Sequence, residues 1–447
     1  MIRKILWNIY MQKKGKAFSK YCTLKRYNRL PRREKQIIQE KRLKEVLLHA
    51  YQNVPYYTKV LANSGVINGS EVNLEEFTNI PILDKKAIRE NFEQLMSKDI
   101  DNRKWNFNTS GGSTGEPAKF IQDLEYSSWN MAASQIFLEF SGYQVPKSRI
   151  ILWGSEKDIG SNKTIRRSLG LWMQNIKFLN AYNINPTMMN EYVDTINQKK
   201  PYLIHAYAES LYQFTLFINK NKLSIYSPKA IITSAGTLFP YMRELIQDVF
   251  GTQVFNMYGS REVGAIACET SEHSGLHVSD FTQYVELLDN NLNTVSYGEK
   301  GEVTITSLTN YAMPLIRYRI GDIAKWSNHS ENKKLKPYIF ENVEGRISDN
   351  FISKDGNITF GSYFRHLIFF MDWIEKYQIV QEDYDKVIFY IKPINDVPAS
   401  FIDEFHRISN EIKKVMGESC VVNYKIVDNI QNSISGKYRY TISNVSR

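Results

Sequence analysis

The middle of this chain alternates between short apolar runs and longer segments with helical periodicity. Within residues 188–196 and 241–250, apolar side chains recur every three or four positions, which is the spacing of one helix face. Alternation of this kind predicts a parallel sheet whose strands are joined by crossover helices. The apolar runs expected to form the strands are residues 150–153, 203–204, 230–232 and 254–255.

The regions on either side show different patterns. Residues 34–52 have helical spacing, and the chain after about residue 275 changes to short strand-like runs separated by glycine or asparagine turns. We expect strands at 285–288, 301–305, 315–318 and 387–391 and helices near 361–376 and 400–416. The predicted fold is therefore α/β. A large N-terminal domain (1–345) has parallel or mixed sheets flanked by helices and a β-rich subdomain (about 275–345), and a small, mobile α+β C-terminal domain spans 346–447.

The formal net charge of +10 favours anionic partners such as nucleotides, nucleic acids or an acidic membrane surface. No nucleic-acid-binding motif accompanies the charge, so we do not expect a nucleic-acid partner. Cys22, Cys268 and Cys420 are odd in number and far apart, which argues against a disulfide framework and predicts a reducing, cytoplasmic location. The sequence does not indicate an oligomeric state.

The N-terminus concentrates much of the positive charge, since lysine and arginine recur throughout its first 42 residues. Its short apolar stretch is interrupted by Asn8 and followed by lysines, which does not match a signal peptide. The pattern favours a solvated amphipathic segment, and peripheral contact with an anionic membrane surface is the alternative.

A loop rich in glycine and hydroxyl groups spans residues 108–117. Glycines let consecutive N–H groups turn toward one ligand, and serine and threonine add donors, so the loop could form an anion nest. It lacks the lysine ending of a Walker loop, and a flexible surface turn is the alternative. The expected phosphate-binding residues are Thr109, Ser110, Gly111, Gly112, Ser113, Thr114 and Gly115.

Four further motifs follow in order: residues 256–262 (NMYGSRE), 314–322 (PLIRYRIGD), 345–349 (GRISD) and 435–439 (SGKYR). With the loop, they make the chain similar to the adenylate-forming superfamily of acyl-CoA synthetases. Within it, the chain resembles the phenylacetate–CoA ligase branch, and especially its relatives in capsular polysaccharide biosynthesis. The resemblance covers nearly the whole chain and implies the acyl-adenylate-forming fold.

The resemblance implies a nucleotide site that binds ATP and Mg²⁺. Tyr258 would place its ring against adenine, Asp322 would accept bonds from the ribose hydroxyls, and Glu262 would bind the magnesium ion. Arg346 would steady the ribose or phosphate near the domain junction. The remaining nucleotide-binding residues would be Gly236, Gly259, Ser260 and Arg261, the last of which replaces the superfamily's threonine.

The resemblance also implies the chemistry. Lys437 would be catalytic, because an ammonium group between a carboxylate and the α-phosphate offsets the charge that builds in the transition state. A thiol such as coenzyme A would then attack the acyl adenylate after the C-terminal domain rotates. The carboxylic acid itself is not identified, and its expected binding residues are Trp153, Tyr182, His205, Tyr207 and Ser234.

Three alternatives remain open at this point. The acyl group could pass to a sugar amine or hydroxyl in polysaccharide assembly, or the chain could be a non-catalytic nucleotide-binding protein at a membrane surface. Zinc is the third question, because Cys268, Glu269, His273 and His277 lie within ten residues. We do not expect zinc, since Thr270 stands where a close cysteine pair would need its second member.

Overall fold

The structure is a computed structural model. Its described residues divide into two compact units, one formed by those up to Val343 and one by those from Glu344 onward. The residues that it describes are 2–109, 118–153, 165–181, 186–328, 338–346, 351–356, 358–359, 361–368, 371, 373–430 and 440–445.

The described helices lie mainly in the large unit. In chain order they are α1 (Ile2–Lys13), α2 (Ala17–Tyr27), α3 (Arg32–Asn53), α4 (Pro55–Asn63), α5 (Lys85–Glu90), α6 (Phe92–Leu95), α7 (Leu124–Phe140), α8 (Ile165–Gln174), α9 (Pro186–Lys199), α10 (Ala208–Lys220), α11 (Pro240–Phe250), α12 (Gly361–Ile368) and α13 (Phe401–Met416). Short 3₁₀ helices span Leu74–Asn79 and Ile100–Asn102.

The described strands are β1 (Ile67–Asn68), β2 (Glu71–Val72), β3 (Trp105–Thr109), β4 (Lys119–Asp123), β5 (Arg149–Trp153), β6 (Ile176–Asn180), β7 (Leu203–Tyr207), β8 (Ala230–Ser234), β9 (Val254–Ser260), β10 (Gly264–Glu269), β11 (Leu276–Val278), β12 (Gln283–Leu288), β13 (Lys300–Ser307), β14 (Tyr318–Trp326), β15 (Ile339–Arg346), β16 (Phe351–Ile352), β17 (Ile358–Thr359), β18 (Ile374–Asp383), β19 (Lys386–Pro393), β20 (Val421–Ile426) and β21 (Thr441–Ser443).

Local sequence signals fix several helix ends. The Asp123 side chain accepts a hydrogen bond from the Tyr126 N–H and so caps α7, and Asp84 caps α5 in the same way. Pro55 occupies the first turn of α4, where its missing N–H costs nothing, and α3 ends just before it at Asn53. Gly251 ends α11 with a positive φ of 60°.

One 11-stranded sheet organises the described part of the large unit, in the order β12-β13-β14-β15-β11-β10-β9-β8-β7-β5-β6. The half from β9 to β6 is parallel, and its crossovers include α10 and α11, as the alternating sequence pattern predicts. The strand β6, which the sequence analysis did not identify, pairs with β5 at one edge.

The other half of this sheet is antiparallel. Strands β9, β10 and β11 pair antiparallel in chain order, β11 also pairs with β15, and β12, β13 and β14 form a meander. The β-rich segment after residue 275 therefore extends the large sheet instead of forming a separate one. The predicted strand at 315–318 is corrected here: β14 begins only at Tyr318, because Arg317 has a positive φ of 48° that breaks the extended run.

Helices cover the large sheet and form its cores. Residues of α3 and α4 such as Leu47 and Tyr57 pack with Val303 and Ile305 of β13 under the antiparallel half. Trp7 and Met11 of α1 pack against the parallel strands. The N-terminal segment therefore carries a buried apolar face, whereas the sequence favoured a solvated segment. No helix within the described residues combines the length and apolarity needed to span a bilayer.

The small unit has a 4-stranded sheet in the order β20-β19-β18-β21. The helix α13 packs onto the core through a stripe of buried residues at helical spacing: Phe401, Phe405, Ile408, Ile412 and Met416. The helix predicted near 361–376 is shorter than expected, because α12 ends at Ile368 and β18 begins at Ile374. The buried Gln381 side chain bonds both the N–H and the C=O of Ile352, at 3.0 and 2.6 Å.

Candidate active site

The candidate site lies at the carboxyl ends of the strands in the parallel half-sheet. Strands β5, β7, β8 and β9 run in the same direction, so their carboxyl ends lie side by side. Strand β5 stands between β6 and β7, so the direction of winding reverses there. Ligands of open α/β sheets bind at the carboxyl ends near such a switch point. The residues that end these four strands are Trp153, Tyr207, Ser234 and Ser260.

Aromatic side chains gather at the switch point. The Trp153 ring lies 4.1 Å from the Tyr207 ring and 5.1 Å from the His205 ring, measured between centroids. His205 Nε2 lies 3.2 Å from Ser234 Oγ, within hydrogen-bonding distance. Four of the five predicted substrate-binding residues therefore form one cluster, and the fifth, Tyr182, lies outside the described residues.

The His205 imidazole is neutral at physiological pH. Burial, and to a smaller extent the nearby Arg149 guanidinium, lower its pKa to about 3. Arg149 is itself buried, at the start of β5. A neutral ring between aromatic walls can donate or accept one hydrogen bond without adding charge, which suits the body of a small organic acid.

Two predicted nucleotide-binding residues meet directly. The Tyr258 hydroxyl donates a hydrogen bond of 2.6 Å to Asp322 Oδ2, although 64 residues separate them in sequence. Asp322 lies on the inward face of β14 and is only 9% exposed, on a strand whose other inward residues are apolar. A buried carboxylate needs such a donor, because an unpaired charge in an apolar setting is costly.

Glu262 lies in the turn between β9 and β10. Glu262 is 5% exposed, and no hydrogen bond or ion pair between described residues involves its carboxylate. Burial raises the pKa of the neighbouring Tyr126 hydroxyl, and the Glu262 charge raises it further. A buried carboxylate with no protein cation in the described structure has the chemistry of a ligand for a hard metal ion such as Mg²⁺.

A hairpin that carries the predicted phosphate loop is fixed to this turn. Gln122 of β4 donates hydrogen bonds to the backbone carbonyls of Arg261 (2.7 Å) and Glu262 (3.1 Å). Asn108 of β3 in turn donates to Gln122 Oε1 at 3.0 Å. Sequence reasoning missed Gln122 as a positioning residue. The available signal was that the polar Gln122 directly follows the apolar residues 120–121 in β4.

Backbone geometry explains two of the glycines. A Cβ on Gly259 would lie 2.7 Å from the Gly264 carbonyl oxygen, so the close pairing of β9 and β10 requires glycine there. Gly264 has a φ of +78°, and a Cβ there would lie 2.3 Å from Asn130 Oδ1. Gly236 follows the end of β8, next to Ala235 with its φ of +57°.

The remaining predicted residues have varied surroundings. The Ser260 hydroxyl accepts a hydrogen bond from the Val263 N–H within the turn, and the Arg261 side chain is exposed. Thr109 ends β3 and is exposed, and Arg346 is the last residue of β15. Ser110, Gly111, Gly112, Ser113, Thr114, Gly115 and the predicted catalytic Lys437 lie outside the described residues.

An ion pair between α11 and β10 supports the strand that carries Tyr258. Arg243 of α11 makes two contacts with Glu269 of β10, at 2.7 and 3.1 Å. Glu269 also accepts a hydrogen bond from the Asn256 N–H in β9, at 2.8 Å. This link between a helix and two strands holds β9 in place just before Tyr258, and no local sequence pattern indicates it.

The residues that raised the question of zinc form two pairs: Cys268 lies opposite His277 across β10 and β11, and Glu269 Oε2 lies 3.4 Å from His273 Nδ1. Cys268 and Glu269 are consecutive in β10 and so point to opposite faces. The Cys268 thiol lies 3.9 Å from the Phe137 carbonyl oxygen, and Glu269 is engaged by Arg243. Within the described residues, no three His, Cys, Asp or Glu side chains gather at metal-binding distances.

Comparison with known proteins identifies relatives of this chain. A family model described as the CapK C-terminal domain matches residues 351–444. Protein CapK of Staphylococcus aureus is 24% identical, over 99% of this chain and 97% of its own length. The phenylacetate–coenzyme A ligase of Thermus thermophilus is 22% identical over 66% of each chain.

A solved structure of a CoA ligase has a similar fold. The structure of 2-hydroxyisobutyryl-CoA ligase in the postadenylation state, in complex with 2-HIB-AMP, superposes with a TM-score of 0.70 at 20% identity. The match covers 93% of this chain and 90% of that one. The fold is that of adenylate-forming CoA ligases. The resemblance to their phenylacetate–CoA ligase branch, and to its capsule-related members, is confirmed.

Proposed function

We propose that this protein is an ATP-dependent, AMP-forming ligase that activates a small carboxylic acid and passes the acyl group to a thiol such as coenzyme A. A buried carboxylate, Glu262, lies in the turn that follows the strand of Tyr258. The observation that carries the proposal is the Tyr258–Asp322 hydrogen bond. It joins two distant motifs at the sheet edge where the predicted phosphate-loop hairpin is also attached. Similarity to phenylacetate–coenzyme A ligases and to the 2-hydroxyisobutyryl-CoA ligase fold supports the same reaction class.

In the first half-reaction, an oxygen of the substrate carboxylate attacks the α-phosphorus of ATP. The bond from that phosphorus to the bridging oxygen breaks, and pyrophosphate leaves with the electron pair. Tyr258 and Asp322 would hold adenine and ribose, and the aromatic cluster around Trp153 would hold the acid. Lys437 would place its ammonium group between the two reacting anions, where preorganised charge lowers the barrier.

Glu262 is the residue that would hold a magnesium ion, which neutralises phosphate charge when bound. In the second half-reaction, a thiolate attacks the acyl carbon and AMP leaves. The sequence of motifs, rather than a described contact, connects the small unit to this step, since Lys437 lies outside the described residues.

The second candidate is transfer of the activated acyl group to a sugar amine or hydroxyl. The full-length match to protein CapK and the match of residues 351–444 to its C-terminal domain family favour it. Both candidates share the first half-reaction, so they differ only in the acceptor.

Pyrophosphate exchange with a panel of small organic acids, measured with ATP and magnesium, tests the shared step. Lys437→Ala is expected to lower the exchange rate by about 10²- to 10³-fold. The exposed Lys425 of the small unit supplies the control, Lys425→Ala, which is expected to retain the exchange rate. Absence of exchange with every acid, or full activity of Lys437→Ala, would contradict the proposal.

The nucleotide role of Asp322 has a separate test. Asp322→Asn removes the charge that would receive the ribose hydroxyls, and charged hydrogen bonds contribute about 1.5–3 kcal/mol each. We therefore expect ATP to bind roughly ten- to a hundredfold more weakly, as measured by calorimetry. Unchanged affinity in a correctly folded variant would rule out the ribose role. Dependence of product formation on coenzyme A then separates the two candidates.

A further inference from the structure

The N-terminal helix α1 has two apolar faces. Trp7 and Met11 are buried against the parallel strands, at 7% and 1% exposure. The second face lies on the opposite side of the helix, because each residue turns the helix by about 100°. It consists of residues at helical spacing that remain 38–69% exposed: Ile2, Ile5, Leu6 and Ile9. Burial within the large unit therefore explains only half of the apolar character of α1.

The neighbouring helix α8 extends this exposed surface. The Arg3 guanidinium lies 4.8 Å from the centre of the Trp172 ring, a cation–π contact that joins the two helices. Trp172 is 47% exposed and Leu169 is 51% exposed. We call the combined surface the α1–α8 apolar face, formed by Ile2, Ile5, Leu6, Ile9, Leu169 and Trp172. Exposed apolar side chains clustered on neighbouring helices are typical of an interaction site.

The charge beside this face has one sign. The first 33 residues contain eleven lysines and arginines and no aspartate or glutamate. Lys20, Lys25 and Arg32 pair with acidic residues of the large unit. In contrast, Lys13 and Lys16 are exposed, and none of the ion pairs between described residues includes them. The partner of the α1–α8 apolar face must therefore accept both apolar side chains and concentrated positive charge.

We propose that the α1–α8 apolar face binds the surface of a membrane that contains anionic phospholipids. Isoleucine and leucine side chains would enter the boundary between headgroups and acyl chains, and Trp172 suits the same interface. The unpaired lysines would lie near lipid phosphates. A second copy of this chain fits less well, because it would bring the same positive charge against the first. The inference concerns where the protein works, and it does not depend on the proposed reaction.

Co-sedimentation with lipid vesicles tests the proposal. We expect the full chain to bind vesicles of phosphatidylcholine mixed with phosphatidylglycerol, and to bind phosphatidylcholine alone much more weakly. Ile5→Glu with Ile9→Glu is expected to weaken partition by at least about tenfold, since it places charge in the apolar face. Replacing Lys13 or Lys16 by alanine is expected to weaken it by about fivefold for each cation removed.

A matched control lies in the small unit. Ile402 is 49% exposed, close to the 48% of Ile9, so Ile402→Glu adds the same charge to an exposed isoleucine far along the chain. That variant should bind vesicles like the wild type. Because Ile5 and Ile9 are exposed, the double variant should also retain the wild-type urea unfolding midpoint, which separates lost binding from lost folding.

Three outcomes would overturn the proposal. The wild type could fail to bind anionic vesicles, the double variant could bind as well as the Ile402→Glu control, or binding could be equal with and without phosphatidylglycerol. Light scattering tests whether a second copy of this chain covers the face instead. The face would be assigned to a second copy if the wild type formed a dimer, the double variant were a monomer, and neither bound vesicles.

Discussion

Replacing His205 with glutamine is expected to make the protein less sensitive to acid. His205 lies in the aromatic cluster at the end of β7, where burial and Arg149 lower its pKa from 6.5 to about 3. Glutamine cannot titrate in this range, but its amide can still reach the Ser234 hydroxyl, which lies 3.2 Å from His205 Nε2. The substitution therefore removes the titration and keeps a polar partner.

The sign and size of the effect follow from proton linkage. Between the two pKa values, the unfolded chain binds a proton at His205 and the folded protein does not. The free energy of unfolding therefore falls as pH falls through about 6.5, and this loss levels off below about 3. Each pH unit contributes about 1.36 kcal/mol, so going from about pH 7.5 to about pH 5 costs the wild type at most about 2 kcal/mol at this residue.

Urea unfolding followed by tryptophan fluorescence measures this difference. The free energy of unfolding is determined at both pH values for the wild type and for His205→Gln, and the acid-induced losses are compared. Other titrating groups affect both proteins equally and cancel. His406 of α13, which is exposed, provides the control substitution, and His406→Gln should lose as much stability as the wild type. Equal losses in the wild type and His205→Gln would refute the buried, neutral state of the ring.

Three further substitutions test the scaffold through urea unfolding. Arg317→Met should destabilise the protein by about 3–5 kcal/mol, because it leaves the buried Glu286 carboxylate without the guanidinium that contacts it at 3.1 and 3.2 Å; a loss below 1 kcal/mol would contradict this. Gly264→Ala should destabilise by at least about 1–3 kcal/mol, since the added methyl group meets Asn130 at a positive φ, and wild-type stability would argue against that geometry. Gln381→Leu leaves both backbone groups of Ile352 without partners and should cost about 2 kcal/mol or more, in the small unit only.

The motif around Arg317 shows how far sequence reasoning reached. The sequence identified residues 314–322 as one unit of the nucleotide site. In the structure, Asp322 faces Tyr258, whereas Arg317 is buried away from it, bound to Glu286 and to the carbonyls of Thr78 and Ile80. A motif records which residues occur together, and it does not separate those that contact a ligand from those that hold the backbone.

Positioning residues were the hardest to predict. Gln122 and the Arg243–Glu269 pair act on segments far away in sequence, so no local spacing indicates their partners. The extent of the large sheet was difficult for the same reason. The β-rich segment looked separate because its strands pair locally. Its link to the rest of the sheet is short, since β11 pairs with β10 at three positions.

By itself, the sequence determined the parallel half-sheet, the order of the motifs and the chemical types at the site. These follow from local properties: apolar periodicity selects strand or helix, and glycine or a carboxylate at a given position limits what the backbone or a ligand can do there. The tertiary structure decided which of those residues meet. The Tyr258–Asp322 bond, the burial that keeps His205 neutral and the two faces of α1 each arise from packing between distant segments, because burial and electrostatic environment belong to the assembled fold and not to any stretch of chain.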